Sequence, residues 1–135
     1  MRSYIFAYTG ALVVFCAMDY FWLTMLAKNI YQKHMGMLML AEPKLIPAAI
    51  FYILYLLGLL VFAIIPALRS QSVFMALSLG AFLGLIAYAS YDLTNLATLR
   101  NWSLPLTIID ISWGIVISSM ASVAGFMAAR LFEKM

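Results

Sequence analysis

Three carboxylates in this sequence stand where a carboxylate is costly. Asp19 lies in the string FCAMDYFWL, Asp92 in ASYDLTNL and Asp110 in LTIIDISWG, each among apolar and aromatic residues. At helical spacing, Tyr88, Tyr91 and Asn95 share turns with Asp92, Trp22 is one turn beyond Asp19, and Trp113 is one turn beyond Asp110. Carboxylates with hydroxyl, amide and indole donors, and no cation beside them, have three uses. They can bind a cation, store a proton, or act as an acid–base pair in which one carboxyl keeps the other protonated. Asp19, Asp92, Asp110, Asn95, Tyr88, Tyr91, Trp22 and Trp113 therefore form the candidate ligand-binding set.

The elements that hold these residues follow from composition. The chain has 135 residues, of which 67% are hydrophobic and 10% charged. Soluble domains are about 45–50% apolar and about 25% charged, and a small soluble domain buries too little surface to hide such an excess. A bilayer removes that constraint. Four stretches, at about 4–27, 45–68, 73–99 and 104–131, are long enough to cross the hydrocarbon, and each is bracketed by Lys or Arg. No sustained alternation supports a barrel, and lipid admits only helices or closed barrels. The expected fold is an all-α, four-helix transmembrane bundle forming a single domain over residues 1–135. The apolar run at the N-terminus is too long for a signal peptide and reads as a retained first helix.

An alternating bundle brings Asp19, near the end of the first span, to the same membrane side as Asp92, near the end of the third, and Asp110, near the start of the fourth. Each is ~6–8 residues inside its span, hence ~9–12 Å deep at ~1.5 Å per residue. An Asp at the centre of a bilayer costs ~2.5–3.5 kcal/mol, and no Lys, Arg or His lies at this depth. At least one of the three is therefore expected to carry a proton at neutral pH. Spacing predicts an inward aim. Ala76, Gly80, Gly84, Tyr88 and Asp92 recur every four residues, as do Asp110, Gly114, Ser118 and Ser122. Small residues at this spacing let helices approach closely. The competing reading is that the aspartates only glue helices together.

The connections at 69–72 and 100–103 are short and make antiparallel neighbours. The first, at 28–44, contains HMGMLML, with Ile30, His34, Leu38 and Ala41 at helical spacing. It predicts a short interfacial helix in the first loop, with Pro43 and Pro47 preceding and opening the second span. The two halves of the chain echo one another weakly: Tyr52 follows Pro47 by five residues, as Asp110 follows Pro105. Lys and Arg do not set the orientation, since Arg2, Arg69, Arg130 and Lys134 on one side match Lys28, Lys33, Lys44 and Arg100 on the other.

Other candidates are weaker. His34 with Met35, Met37 and Met39 has the donors for a soft ion such as Cu(I), but methionine is ordinary packing material. Cys16 is one turn from Asp19 in apolar surroundings, where a thiol is inert. Tyr4 and Trp102 suit an aromatic belt. No phosphate-binding loop, nucleophile elbow, zinc or dinucleotide motif occurs, so no cofactor, metal or catalytic residue is assigned. The net charge of +3 is scattered, leaving no footprint for nucleic acid.

The string YDLTNLATLRNW at 91–102, IIDISWG at 108–114, MDYFWL at 18–23 and FYILYLLGLLVFAIIPAL at 51–68 together resemble the family called domain of unknown function 2177. The resemblance covers essentially the whole chain. It implies a four-span, multi-pass protein of the bacterial inner membrane and carries no activity, substrate or catalytic residue with it. The residues point first to a membrane-embedded binding site for a lipid headgroup, small cation or proton. A lipid-active enzyme using a carboxylate acid–base pair and an accessory subunit of a membrane complex are the other classes. Membrane lipid is the expected partner, with a homo-oligomer open.

Overall fold

A computed structural model of the chain describes residues 2–36, 42 and 44–133. Four helical stretches are long and apolar enough to cross a membrane: Arg2–Met25, Leu45–Ser70, Val73–Thr98 and Leu104–Glu133. They match the spans read from hydropathy, because in hydrocarbon every backbone N–H and C=O must be satisfied within its own helix.

The first span comprises α1 (Arg2–Phe21) and most of a six-residue π-helical segment (Trp22–Ala27), beyond which the helix runs on as α2 (Lys28–Met35). Backbone angles stay helical across both junctions. The interfacial helix is thus a direct continuation of the first span rather than a separate element within the loop. Leu38 and Ala41, which the spacing also assigned to it, lie outside the described residues, as do Met37, Met39 and Pro43.

The second span runs as α3 (Leu45–Leu59), a π-helical segment (Leu60–Ile64) and α4 (Ile65–Ser70), with Pro47 in the first turn of α3. The wide segment directly precedes Pro66, which lacks an N–H and whose ring crowds the carbonyl four residues back. A π turn absorbs that misfit without breaking the span. Gln71 then takes the left-handed conformation (φ 52°) and caps α4. The Ser72 hydroxyl caps α5 (Val73–Thr98) by accepting from the Met75 N–H at 3.2 Å. The Ser103 hydroxyl does the same for α6 (Leu104–Glu133), accepting from Leu106 N–H at 3.2 Å.

α6 is the central helix and packs along both α5 and α1. The α5–α6 contact is the seam of small residues read from the sequence. A Cβ on Gly80 would stand 2.8 Å from the Ser118 carbonyl oxygen, and the Tyr88 ring lies directly over Gly114. The α1–α6 contact has its own tight point. A Cβ on Gly125 would stand 2.6 Å from Ile64 Cδ1 and 2.7 Å from the Ala7 carbonyl oxygen. The second span meets α5 chiefly through its π segment and α4, and scarcely through α3. The second and third spans therefore diverge toward the end that carries the aspartates. Outward faces present Ile5, Val13, Ile46, Phe62, Phe74 and Phe82, all exposed, as lipid-facing surfaces do.

Candidate functional site

The four-residue rhythm of α5 and α6 sets the site. In their antiparallel register Gly84 meets Gly114 and Ser118, Tyr88 meets Gly114, and one turn further Asp92 meets Asp110. The two carboxyls are neighbours across the helix interface. Asp92 is 0% exposed, and neither of its oxygens has a hydrogen-bond partner among the described residues. Asp110 is 7% exposed and accepts a hydrogen bond from the Tyr31 hydroxyl of α2. Tyr31 lies beyond the first span. Burial first, and then its bond to Asp110, push its hydroxyl above the ordinary tyrosine range, so it remains a neutral donor.

Asp19 is half-buried on α1 and accepts from the Tyr52 hydroxyl of α3. It lies near Asp110. No group of three His, Cys, Asp or Glu among the described residues is arranged to hold a metal ion. The echo between the halves has a structural counterpart. In each hairpin, the aspartate near the end of the first helix faces the residue five places after a proline in the second: Asp19 faces Tyr52, and Asp92 faces Asp110.

The aspartates' donors differ from those the spacing predicts. Tyr88, Tyr91 and Asn95 share turns with Asp92, yet none bonds to it. Asn95 instead lies beside Tyr91. Trp22 and Trp113 stack with ring centroids 4.4 Å apart and planes 8° apart, and their indole N–H groups are buried without partners. Trp22 opens the first π segment. The stack places Trp113 beside Asp19 and Trp22 beside Tyr31.

On the other side a cavity of about 270 Å³ is lined by Phe51 from α3, Ala87, Tyr88 and Tyr91 from α5, and Asp110 from α6. Phe51 and Tyr91 are exposed, so the cleft opens sideways between the diverging second and third spans. Tyr91 also packs edge-on to Trp102, at 5.9 Å between centroids. Of the eight residues picked from the sequence, Asp110, Tyr88 and Tyr91 line the cleft. Asp92 sits behind Asp110, Asn95 beside Tyr91, the tryptophans on the far side, and Asp19 apart with Tyr52. Tyr31, Tyr52, Phe51 and Ala87 were not in that set. For Tyr52 the proline echo was the available signal; for Tyr31 there was none.

His34 and Met35 face a different cleft, described below, while Cys16 is exposed on the outer face of α1. Deeper in the seam, the Tyr55 and Ser118 hydroxyls are hydrogen-bonded at 2.6 Å.

Four apolar spans with their buried carboxyls gathered at one end define a multi-pass integral membrane protein. The chain belongs to the DUF2177 family of predicted membrane proteins, whose family model matches residues 4–127. No curated protein and no solved structure matches it.

Proposed function

We propose that this protein is a membrane-embedded binding site for a small organic cation, free or as an amine headgroup, that enters sideways from the lipid. The observation that carries this is the unpartnered, fully buried carboxyl of Asp92 set behind Asp110 at the floor of an aromatic cleft. A buried charge without a partner is strongly destabilising, so the pair either shares a proton or receives a cation. Asp110 is the carboxylate that touches the ligand, and Asp92 holds the proton when the cleft is empty. Phe51, Tyr88 and Tyr91 supply aromatic faces, each worth roughly 0.5–2 kcal/mol to a cation that has left water. A cleft of about 270 Å³ suits a headgroup-sized molecule rather than an entire lipid. The site belongs, on this reading, to a protein of the bacterial inner membrane.

The same pair has the layout of a general acid beside a general base, which keeps a lipid-active enzyme as the second reading. An assembly role has no such geometry behind it. The test is titration of the protein in lipid nanodiscs with tetramethylammonium and with ethanolamine, comparing wild type with Asp110→Asn. Saturable binding by wild type that is lost in a folded Asp110→Asn variant supports the reading. Equal signals from both proteins refute it.

A further inference from the structure

A second cleft, unrelated to the aspartates, lies at the membrane surface on the same side. The end of α2 and the turn between α5 and α6 face each other across about 550 Å³, lined by Gln32, Lys33, His34, Met35, Gly36, Arg100 and Asn101. Among the described residues, the charged side chains of that lining are Lys33 and Arg100, from two different elements, with no carboxylate beside them. Gln32 and Asn101 add amide donors and His34 a ring N–H. Two features of the chain build this arrangement. The π segment sends α2 straight on from the first span, which keeps Lys33 near the bundle rather than out in a loop. Asn101, in the left-handed conformation (φ 61°), folds the α5–α6 turn back between Leu99 and Ser103 and leaves Arg100 on the rim.

Position decides what such a cleft meets. The α5–α6 turn joins two spans directly, and α2 follows the end of a third, so the cleft stands at the span ends, where a bilayer of ordinary thickness would carry its phosphates. We propose that it binds the phosphodiester of an anionic membrane lipid, with Lys33 and Arg100 providing the charge and Gln32, His34 and Asn101 the hydrogen bonds. Two cations presented from separate elements, with amides between them, form a converging set of donors for phosphate oxygens. A soluble anion would find the same donors. The fixed height at the bilayer surface, where anionic lipid is concentrated, favours the lipid.

The experiment is native mass spectrometry of the protein released from nanodiscs of mixed phosphatidylglycerol and phosphatidylcholine, with melting temperature in the same lipids. Wild type should retain phosphatidylglycerol over phosphatidylcholine. Lys33→Gln with Arg100→Gln should weaken that preference about twenty-five-fold, at about fivefold per surface charge, with helix content unchanged. The charge-conserving pair Lys33→Arg with Arg100→Lys should restore it. Three results overturn the proposal: equal retention of both lipids, an unaltered preference in the double Gln variant, or equal protection by inorganic phosphate alone. The last would assign the cleft to a soluble anion. None of these outcomes touches the cation site, because Lys33 and Arg100 are not among its lining residues.

Discussion

Replacing Gly84 by alanine tests whether the α5–α6 seam really holds the carboxyl pair together. A Cβ at position 84 would stand 2.7 Å from Ser118 Oγ and 2.8 Å from Ser118 Cβ, and closer still to the Gly114 carbonyl oxygen. The serine hydroxyl can rotate away, but a backbone carbonyl within a helix cannot. The helices must therefore separate, and overpacking of this kind costs about 1–3 kcal/mol. Gly58 is the internal control, since nothing lies within 4 Å of a Cβ built there. Gly58→Ala should be neutral or stabilising by up to about 1 kcal/mol, because alanine is the better helix former. The assay is reversible unfolding in mixed lipid–detergent micelles, followed by circular dichroism. Gly84→Ala should lose about 1–3 kcal/mol relative to wild type and should also weaken tetramethylammonium binding. Asp92 and Asp110 lie only two helical turns along the same seam. Equal stabilities for Gly84→Ala and Gly58→Ala would show that the two helices are not in the contact described.

Two further outcomes concern the tyrosines. Tyr31→Phe removes the hydroxyl that reaches Asp110 and should cost about 1–3 kcal/mol if it strands that carboxyl. It should also remove a component of alkaline instability. A hydroxyl raised by folding stabilises fully below the ordinary tyrosine value of 10.0 and loses that contribution as pH rises toward its folded value. A Tyr31→Phe protein with unchanged stability on both sides of that value would remove Tyr31 from the site. Tyr52→Phe keeps the ring that packs edge-on to Phe15 at 5.7 Å and deletes only the bond to Asp19. In a double-mutant cycle, Tyr52→Phe and Asp19→Asn should couple by more than about 0.5 kcal/mol, and strict additivity would mean that the two do not interact.

The spans and the α5–α6 seam were legible because their signals are dense. Hydropathy over twenty residues and small residues every fourth place leave little freedom for anything but packed helices. That rhythm combined with alternating topology placed Asp92 and Asp110 at the same end of the bundle, but their pairing, with Asp19 set against Tyr52 instead, was not read from it. The phenol partners were not legible, because Tyr31 and Tyr52 reach the carboxyls from other elements and no spacing on α5 or α6 points to them. Nor does a run of apolar residues reveal that Trp22 opens a π segment, which is what carries α2 onward and brings Tyr31 over Asp110. The close approach of α1 to α6 at Gly125 was hidden for a similar reason: antiparallel connections fix which helices are successive, not which side the first takes against the last. The lateral cleft depends on the second span leaning on α5 at one end only, and that follows from packing around the π segment before Pro66.

The central claim is that Asp92 and Asp110 hold one proton between them until a cation replaces it. Infrared titration of the carboxyl stretch in lipid, with Asp92→Asn and Asp110→Asn as assignments, tests this most directly. Wild type should show a protonated carboxyl band at neutral pH. Asp92→Asn should lack that band yet remain folded, since asparagine matches the neutral form in shape. Saturating tetramethylammonium should abolish the band in wild type and release a proton to the medium. A wild-type spectrum with every carboxyl ionised at neutral pH, or a band indifferent both to Asp92→Asn and to the cation, would contradict the claim.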